Sequence, residues 1–279
     1  MAGLFTRSWG YRKPPLGARL NRSHQLAQGL VGCWVMNEGG GTVAIDSAGI
    51  NTGTLTNGPL WSAGQFGPAL NFDGVNDYVR QDAYSSSLDL LGTSLTLSAW
   101  IKPNNATGWQ AIVNKPRFDN SHDAPYFEWS MYHEITTGLL DFFIAGDSFQ
   151  RPSTSGVPNG VWSHVAVTYE SNSIKHYING RLDRTTAGVT VSVVNTNSTR
   201  VRIGSNGGSG EIMDGHIDSV RVYNRVLSQQ EIRWLYQEPF ADFQPVRRVF
   251  GNVAVAVEVF QSSSSPWQNR GQFAPLLAQ

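Results

Sequence analysis

The chain has 279 residues, of which 40% are apolar, 11% aromatic and only 15% charged. That length suffices for a sizeable core, and all-β folds of this size often form one domain. A formal net charge of zero gives no global drive toward nucleic acid or acidic polymers, and the single cysteine, Cys33, excludes an internal disulfide.

Residues 1–28 read as a basic arm. Arg7, Arg12, Lys13, Arg19 and Arg22 all precede the first acid, Glu38. Trp9, Tyr11, Pro14, Pro15 and Leu16 add anchors, so the arm is expected to contact protein. The opening residues hold no apolar stretch of signal-peptide length, and no run approaches a membrane span. The expectation is a protein made and used in a cytoplasm, or leaving it by lysis or assembly rather than by secretion, with no membrane partner.

Residues 29–238 form a series of short β-type runs broken by Gly, Asn, Asp and Pro. In "NFDGVNDYV" (71–79) the acids, amides and glycine between two apolar runs suit a tight turn, because Asp, Asn and Gly dominate turns on conformational grounds. In "SLTLSAWIKP" Leu95, Leu97, Ala99 and Ile101 share one face; Thr96, Ser98 and Trp100 share the other. In "YFEWSMY" Phe127, Trp129 and Met131 alternate with Tyr126, Glu128, Ser130 and Tyr132. "IKHYINGRLDRT" is a hairpin whose Asn179-Gly180 supplies the positive φ angles of a two-residue turn. "GHIDSVRVYN" is a late strand, on which simple alternation puts Asp218 beside Val220 and Val222. "SQQEIRWLYQE" is the one helix, with Ser228 as N-cap, Glu231 completing a capping box, and Ile232, Leu235 and Tyr236 on one face.

Residues 239–279 are a C-terminal extension. "VAVAVEVF" places Val253, Val255, Val257 and Val259 on one strand face, almost without charge. An exposed edge of that kind invites association, so it is expected to pair with a neighbouring chain or cover the sandwich. A serine run, Trp267 and Phe273 follow as a second anchored arm.

Five segments in order, "GLVGCWVMNEGGGTVAIDSAG", "GPALNFDGVNDYV", "SLTLSAWIKP", "GVWSHVAVTYESNSIKHYINGRL" and "GEIMDGHIDSVRVYNRVLSQQEI", resemble the laminin-G-like, concanavalin A-like jelly-roll superfamily over about residues 29–238. The resemblance implies an all-β fold, an antiparallel jelly-roll sandwich of two curved sheets. The opening through "GLVGCWVMNEGGG" is also similar to laminin-G-like proteins encoded by tailed phages and prophages. Members of the superfamily often hold a structural Ca2+ between an early loop and a late strand. Asp46 and Asp218 match those acidic positions, with carbonyls near Asn51 and Thr52 to complete an oxygen shell. The other reading is that Asp218 accepts backbone hydrogen bonds from the Asp46 loop without metal.

Trp109, Tyr126 and Tyr132, with Glu128 between the tyrosines, make a surface that suits a glycan or a protein partner equally, and core packing in a second layer is a third reading. The glycosidases that the superfamily contains carry acids in an E-x-D-x-E pattern on one strand; no such triplet occurs here, and Glu128 has no acid two residues before or after it. HExxH, CxxC, GxSxG and phosphate-loop motifs are absent as well. The expectation is a non-enzymatic structural or decoration protein of a viral particle. It would be fastened to other virion proteins and to copies of itself through Arg7, Trp9, Tyr11, Arg12, Lys13, the valine strand, Trp267 and Phe273. The alternative is a carbohydrate-binding or adhesion module.

Overall fold

The computed structural model describes residues 9, 11–90, 94–104, 108–117, 127–134, 136–144, 150–170, 172–189, 198–207 and 211–244. Among these, antiparallel strands build two sheets. The first strands are β1 (Leu30–Trp34), β2 (Val43–Ala44), β3 (Gly53–Thr56), β4 (Leu60–Ala63), β5 (Pro68–Asp73) and β6 (Tyr78–Gln81). The longer central strands are β7 (Ser94–Pro103), β8 (Trp109–Pro116), β9 (Phe127–Glu134), β10 (Leu139–Ile144) and β11 (Ser163–Glu170). The last are β12 (Ser173–Ile178), β13 (Arg181–Ala187), β14 (Arg202–Ile203) and β15 (Asp214–Tyr223), followed by helix α1 (Gln229–Gln237).

The eight-stranded sheet runs β13-β12-β11-β7-β15-β5-β4, with β1 paired to β15 beside β5. The seven-stranded sheet runs β10-β9-β8-β14-β6-β3-β2. This is the sandwich the alternating strands predict. Leu95, Leu97, Ala99 and Ile101 all enter the inter-sheet core, as their period of two requires. Facing them, Phe142, Met131, Val113, Ile203, Val79 and Leu55 stand in register across six strands of the other sheet. Each fully buried side chain of this size contributes about 1.5–3 kcal/mol.

Three local readings hold. Asn179 and Gly180 both have positive φ (50° and 74°) and join β12 to β13 with Ile178 opposite Arg181. Ser228 and Glu231 form the reciprocal capping box. The "NFDGVNDYV" segment is a turn: Asp73 Oδ1 accepts from the Val75 amide at 2.8 Å, and Gly74 has φ 75°. It carries the chain from the eight-stranded to the seven-stranded sheet, and a Cβ on Gly74 would stand 2.8 Å from Asp214 Cβ.

Two readings change. The outer face of the eight-stranded sheet carries a second apolar layer. Leu20, Leu26, Leu30, Tyr177, Tyr223, Ile232, Leu235, Phe240 and Phe243 cluster there. Leu20 bridges Phe243, and Trp9 Nε1 donates to the Gln244 carbonyl at 3.2 Å. The described part of the expected arm is therefore built into the body, together with residues 239–244. The physical reason is the sheet's outer face, which would otherwise expose Trp100, Tyr177 and Tyr223. Tyr11 lies on this layer, stacked 6.1 Å from Phe66, yet is 67% exposed. Arg7, Val253, Val255, Val257, Val259, Trp267 and Phe273 lie outside the described residues.

The second change concerns β15. Its register shifts between Asp218 and Arg221, and Ser219 has φ 51°. This bulge inserts one residue, so Ile217, Val220 and Val222 all face the core while Asp218 faces outward opposite Trp100. Asp218 does not share the face of Val220 and Val222.

Candidate functional site

The outer face of the seven-stranded sheet is where the polar residues gather. One step along from the apolar row, Phe143, Ser130, Asn114, Arg202, Arg80 and Thr54 are aligned across β10, β9, β8, β14, β6 and β3. An outward-facing row is normally solvated, but here Ser130, Asn114 and Arg202 are buried. Asn114 Nδ2 donates to the Ser205 carbonyl, while Asn114 Oδ1 has no hydrogen-bond partner. The Arg202 guanidinium lies over the Tyr78 ring at 5.1 Å from its centroid.

At one end of the row stands an aromatic cluster. Trp109 and Phe143 are half-buried and pack on Tyr132 and Phe127. Trp109 meets Tyr132 edge-on at 6.0 Å and Phe143 at 5.6 Å. The Tyr132 hydroxyl donates to Glu211 at 2.7 Å, and Asn206 Nδ2 donates to the same carboxylate oxygen at 2.6 Å. Burial, then the Glu211 charge, pushes the Tyr132 phenol well above its usual range. Tyr132 is 1% exposed, so it takes the packing role among the three readings rather than that of an open stacking platform. Its ring is consumed by the neighbouring rings, which leaves half-buried Trp109 and Phe143 as the accessible aromatic edges of the cluster among the described residues. Tyr126 lies outside the described residues.

Glu128 sits at a second irregularity. The pairing of β8 with β9 shifts between Lys115 and Pro116, which throws Phe127 onto the outer aromatic cluster. The Lys115 ammonium stands between two carboxylates, bonded to Asp89 and 3.2 Å from Glu128 Oε2. Glu128 Oε1 has no hydrogen-bond partner. Burial outweighs the attraction of Lys115 and raises the Glu128 carboxyl to about 7. The Tyr84 hydroxyl donates to the other Asp89 oxygen at 2.6 Å and completes the group.

The residues expected to hold calcium do not fit it. Asp46 Oδ1 accepts from the Cys33 and Ala48 amides, both at 2.8 Å, and Oδ2 accepts from the Asn51 amide and Asn51 Nδ2, both at 3.0 Å. The Asn51 carbonyl takes Trp34 Nε1 at 2.9 Å, and the Thr52 carbonyl takes the Asp82 amide at 2.9 Å. Each of these oxygens already accepts from an N–H donor and offers little to a cation. Asp218 is engaged elsewhere, by Lys13. Among the described residues, no group of three or more His, Cys, Asp or Glu side chains could hold a metal ion.

The sequence reading singles out Trp109, Glu128 and Tyr132 and passes over Asn114, Arg202, Arg80 and Lys115. None stands in a motif; β8, β14 and β6 are neighbours only in the folded sheet. Among the described residues, no helix is long and apolar enough to cross a membrane.

Comparison with known proteins agrees with this architecture. Residues 72–233 match the family model described as the concanavalin A-like lectin/glucanases superfamily. A curated relative, adhesion G-protein coupled receptor V1 of Danio rerio, is 25% identical over 158 residues; the match takes in 52% of this chain and only 2% of the receptor. Among solved structures, domain 4 of AbnA, a GH43 extracellular arabinanase from Geobacillus stearothermophilus in complex with arabinotriose, aligns with a TM-score of 0.58 at 20% identity. It covers 75% of this chain and 98% of that domain. Trypanosoma rangeli sialidase aligns at 0.56 and 18% identity, over 76% of this chain and 33% of the sialidase. The binding domain of Paraclostridial Mosquitocidal Protein 1 aligns at 0.58 and 16% identity, over 76% of this chain and 52% of that one. These structural likenesses speak for the sandwich, and the family match covers more than half of the sequence: the chain belongs to the concanavalin A-like lectin/glucanases superfamily.

Proposed function

We propose that this protein is a non-catalytic carbohydrate-binding or adhesion module whose ligand face is the outer face of the seven-stranded sheet. The observation that carries the reading is the half-buried pair Trp109 and Phe143, an aromatic edge at the Phe143 end of the polar row Ser130–Asn114–Arg202. An aromatic edge bordering polar groups is the chemistry that stacks on a hydroxyl-rich ligand. The arabinotriose complex of the similar arabinanase domain supports the same class of ligand. Arrangement of the carboxylates supports the absence of hydrolysis. Glu128 and Asp89 are bridged by Lys115 rather than set apart around open space for a glycosidic bond. Service on a viral particle would rest on the terminal segments, and the body favours the glycan reading over it.

The test is a glycan screen with the full chain, followed by calorimetry on any hit. Trp109→Ala and Phe143→Ala are expected to weaken binding tenfold or more while the thermal transition of each variant remains cooperative. Absence of any hit, or a hit indifferent to both substitutions, would remove this face from consideration. Release of reducing sugar that vanishes in Glu128→Gln would instead make the protein a hydrolase.

A further inference from the structure

On the opposite sheet, the Lys13 ammonium is buried against oxygen acceptors. Its ammonium donates to the Met36 carbonyl at 2.9 Å, to the Pro68 carbonyl and to Asp218 Oδ1. Its side chain is 4% exposed and that of Asp218 is 0% exposed. Asp218 Oδ2 has no hydrogen-bond partner. The surroundings are fitted to this arrangement. The Asn37 side chain donates to the Pro14 carbonyl at 2.6 Å and pins the segment just after Lys13. The lysine stem runs over Gly67, where an added Cβ would meet Lys13 Cδ at 3.4 Å, and Gly64 lets the β4–β5 turn approach Asp218 Oδ2. The negative charge of Glu38 also acts on Lys13, and Glu38 Oε2 is buried without a partner.

The three atoms that accept from the ammonium are all oxygens, two of carbonyls and one of a carboxylate, which is the kind of donor a hard cation takes. An isolated buried carboxylate such as Asp218 would be costly without a counter-charge. We infer that Met36 O, Pro68 O and the Asp218 carboxylate form a cation seat that the chain occupies with its own Lys13. The fold is then independent of calcium, and removal of the lysine side chain turns the seat into a calcium site. The bulge at Ser219 is what aims Asp218 into the seat, and the lysine arrives from 205 positions away in sequence. This inference is independent of the glycan reading, since it concerns the other sheet.

The experiment follows thermal unfolding of the full chain. Wild type should unfold at the same temperature in EDTA and in calcium chloride. Lys13→Ala should unfold at a lower temperature and recover most of the loss in calcium chloride. Lys13→Ala combined with Asp218→Asn should show no recovery. A wild-type transition that falls in EDTA or rises in calcium overturns the inference, and so does a Lys13→Ala transition indifferent to calcium. If Lys13→Ala is not recovered folded, its refolding in calcium supports the seat. Should it fail to fold in either condition, amine labelling of the EDTA-treated wild type decides. Lys13 must be protected relative to Lys102 and Lys175, and equal labelling rates overturn the proposal.

Discussion

The guanidinium of Arg221 grips the carboxylate of Asp242 through two parallel bonds, Nη1 to Oδ2 at 2.6 Å and Nη2 to Oδ1 at 3.0 Å. Arg221 projects from β15 on the outer face of the eight-stranded sheet, and Nη2 also donates to the Pro239 carbonyl at 2.6 Å. This pair fastens the segment after α1 over the second apolar layer, where Phe240 and Phe243 seal it. Removing one partner leaves a buried charge alone, which costs about 3–5 kcal/mol, whereas replacing both with apolar groups costs much less. Arg221→Met or Asp242→Leu should each lower stability by about that amount in urea unfolding, and the double substitution should recover a large part. Additive losses would show that the two side chains act separately.

Glu128 makes the stability of the fold depend on pH in a definite direction. Burial raises its carboxyl from 4.5 to about 7, so the native state holds a proton that the unfolded state has released. Its favourable contribution is complete below about 4.5 and is lost as pH rises through about 7. The loss is on the order of 3 kcal/mol. In Glu128→Gln the difference from wild type, measured by unfolding at a series of pH values, should therefore grow across that window. A flat difference would mean that Lys115 keeps the carboxylate ionised.

Two histidines act with the opposite sign. Burial lowers His164 to about 3 and His176 to about 4, so each must be protonated on unfolding in mild acid. Their contribution is present above 6.5 and is lost as pH falls toward those values. His164 also shares a hydrogen bond with Ser98 Oγ at 2.9 Å and packs against Trp100 at 5.5 Å. His176→Gln should resist acid unfolding better than wild type relative to its own stability at neutral pH. An unchanged acid midpoint would rule out His176 as a contributor.

The β12–β13 turn gives a backbone test. Gly180 has φ 74°, and a Cβ there would lie 2.9 Å from Tyr236 Cβ on α1. Gly180→Ala should cost about 1–3 kcal/mol through strain and displacement of the helix. Asn179→Gly, which keeps the positive φ at the first turn position, should cost less. Equal losses in urea unfolding would place the penalty in the lost Asn179 side chain, whose Oδ1 accepts from the His164 amide at 2.9 Å.

Much of this protein is written locally. The alternation of Leu95, Leu97, Ala99 and Ile101, the Asn179-Gly180 turn and the Ser228–Glu231 capping box each involve residues a few positions apart, so reading them needs no partner. Together they suffice for an antiparallel sandwich with one helix. Position on a face is more fragile, because the side-chain period of a strand is two and one inserted residue inverts it. The Ser219 bulge turned Asp218 away from the core, and the β8–β9 irregularity brought Phe127 onto the outer cluster. Contacts between distant segments were not written locally at all. The row of Ser130, Asn114, Arg202 and Arg80 exists only because β14 lies between β8 and β6, and Lys13 meets Asp218 only once the first residues cross the finished sheet. Sequence alone determined which elements form; the tertiary structure decided which polar side chains meet, because burial next to a partner depends on strand order and bulges that no local pattern encodes.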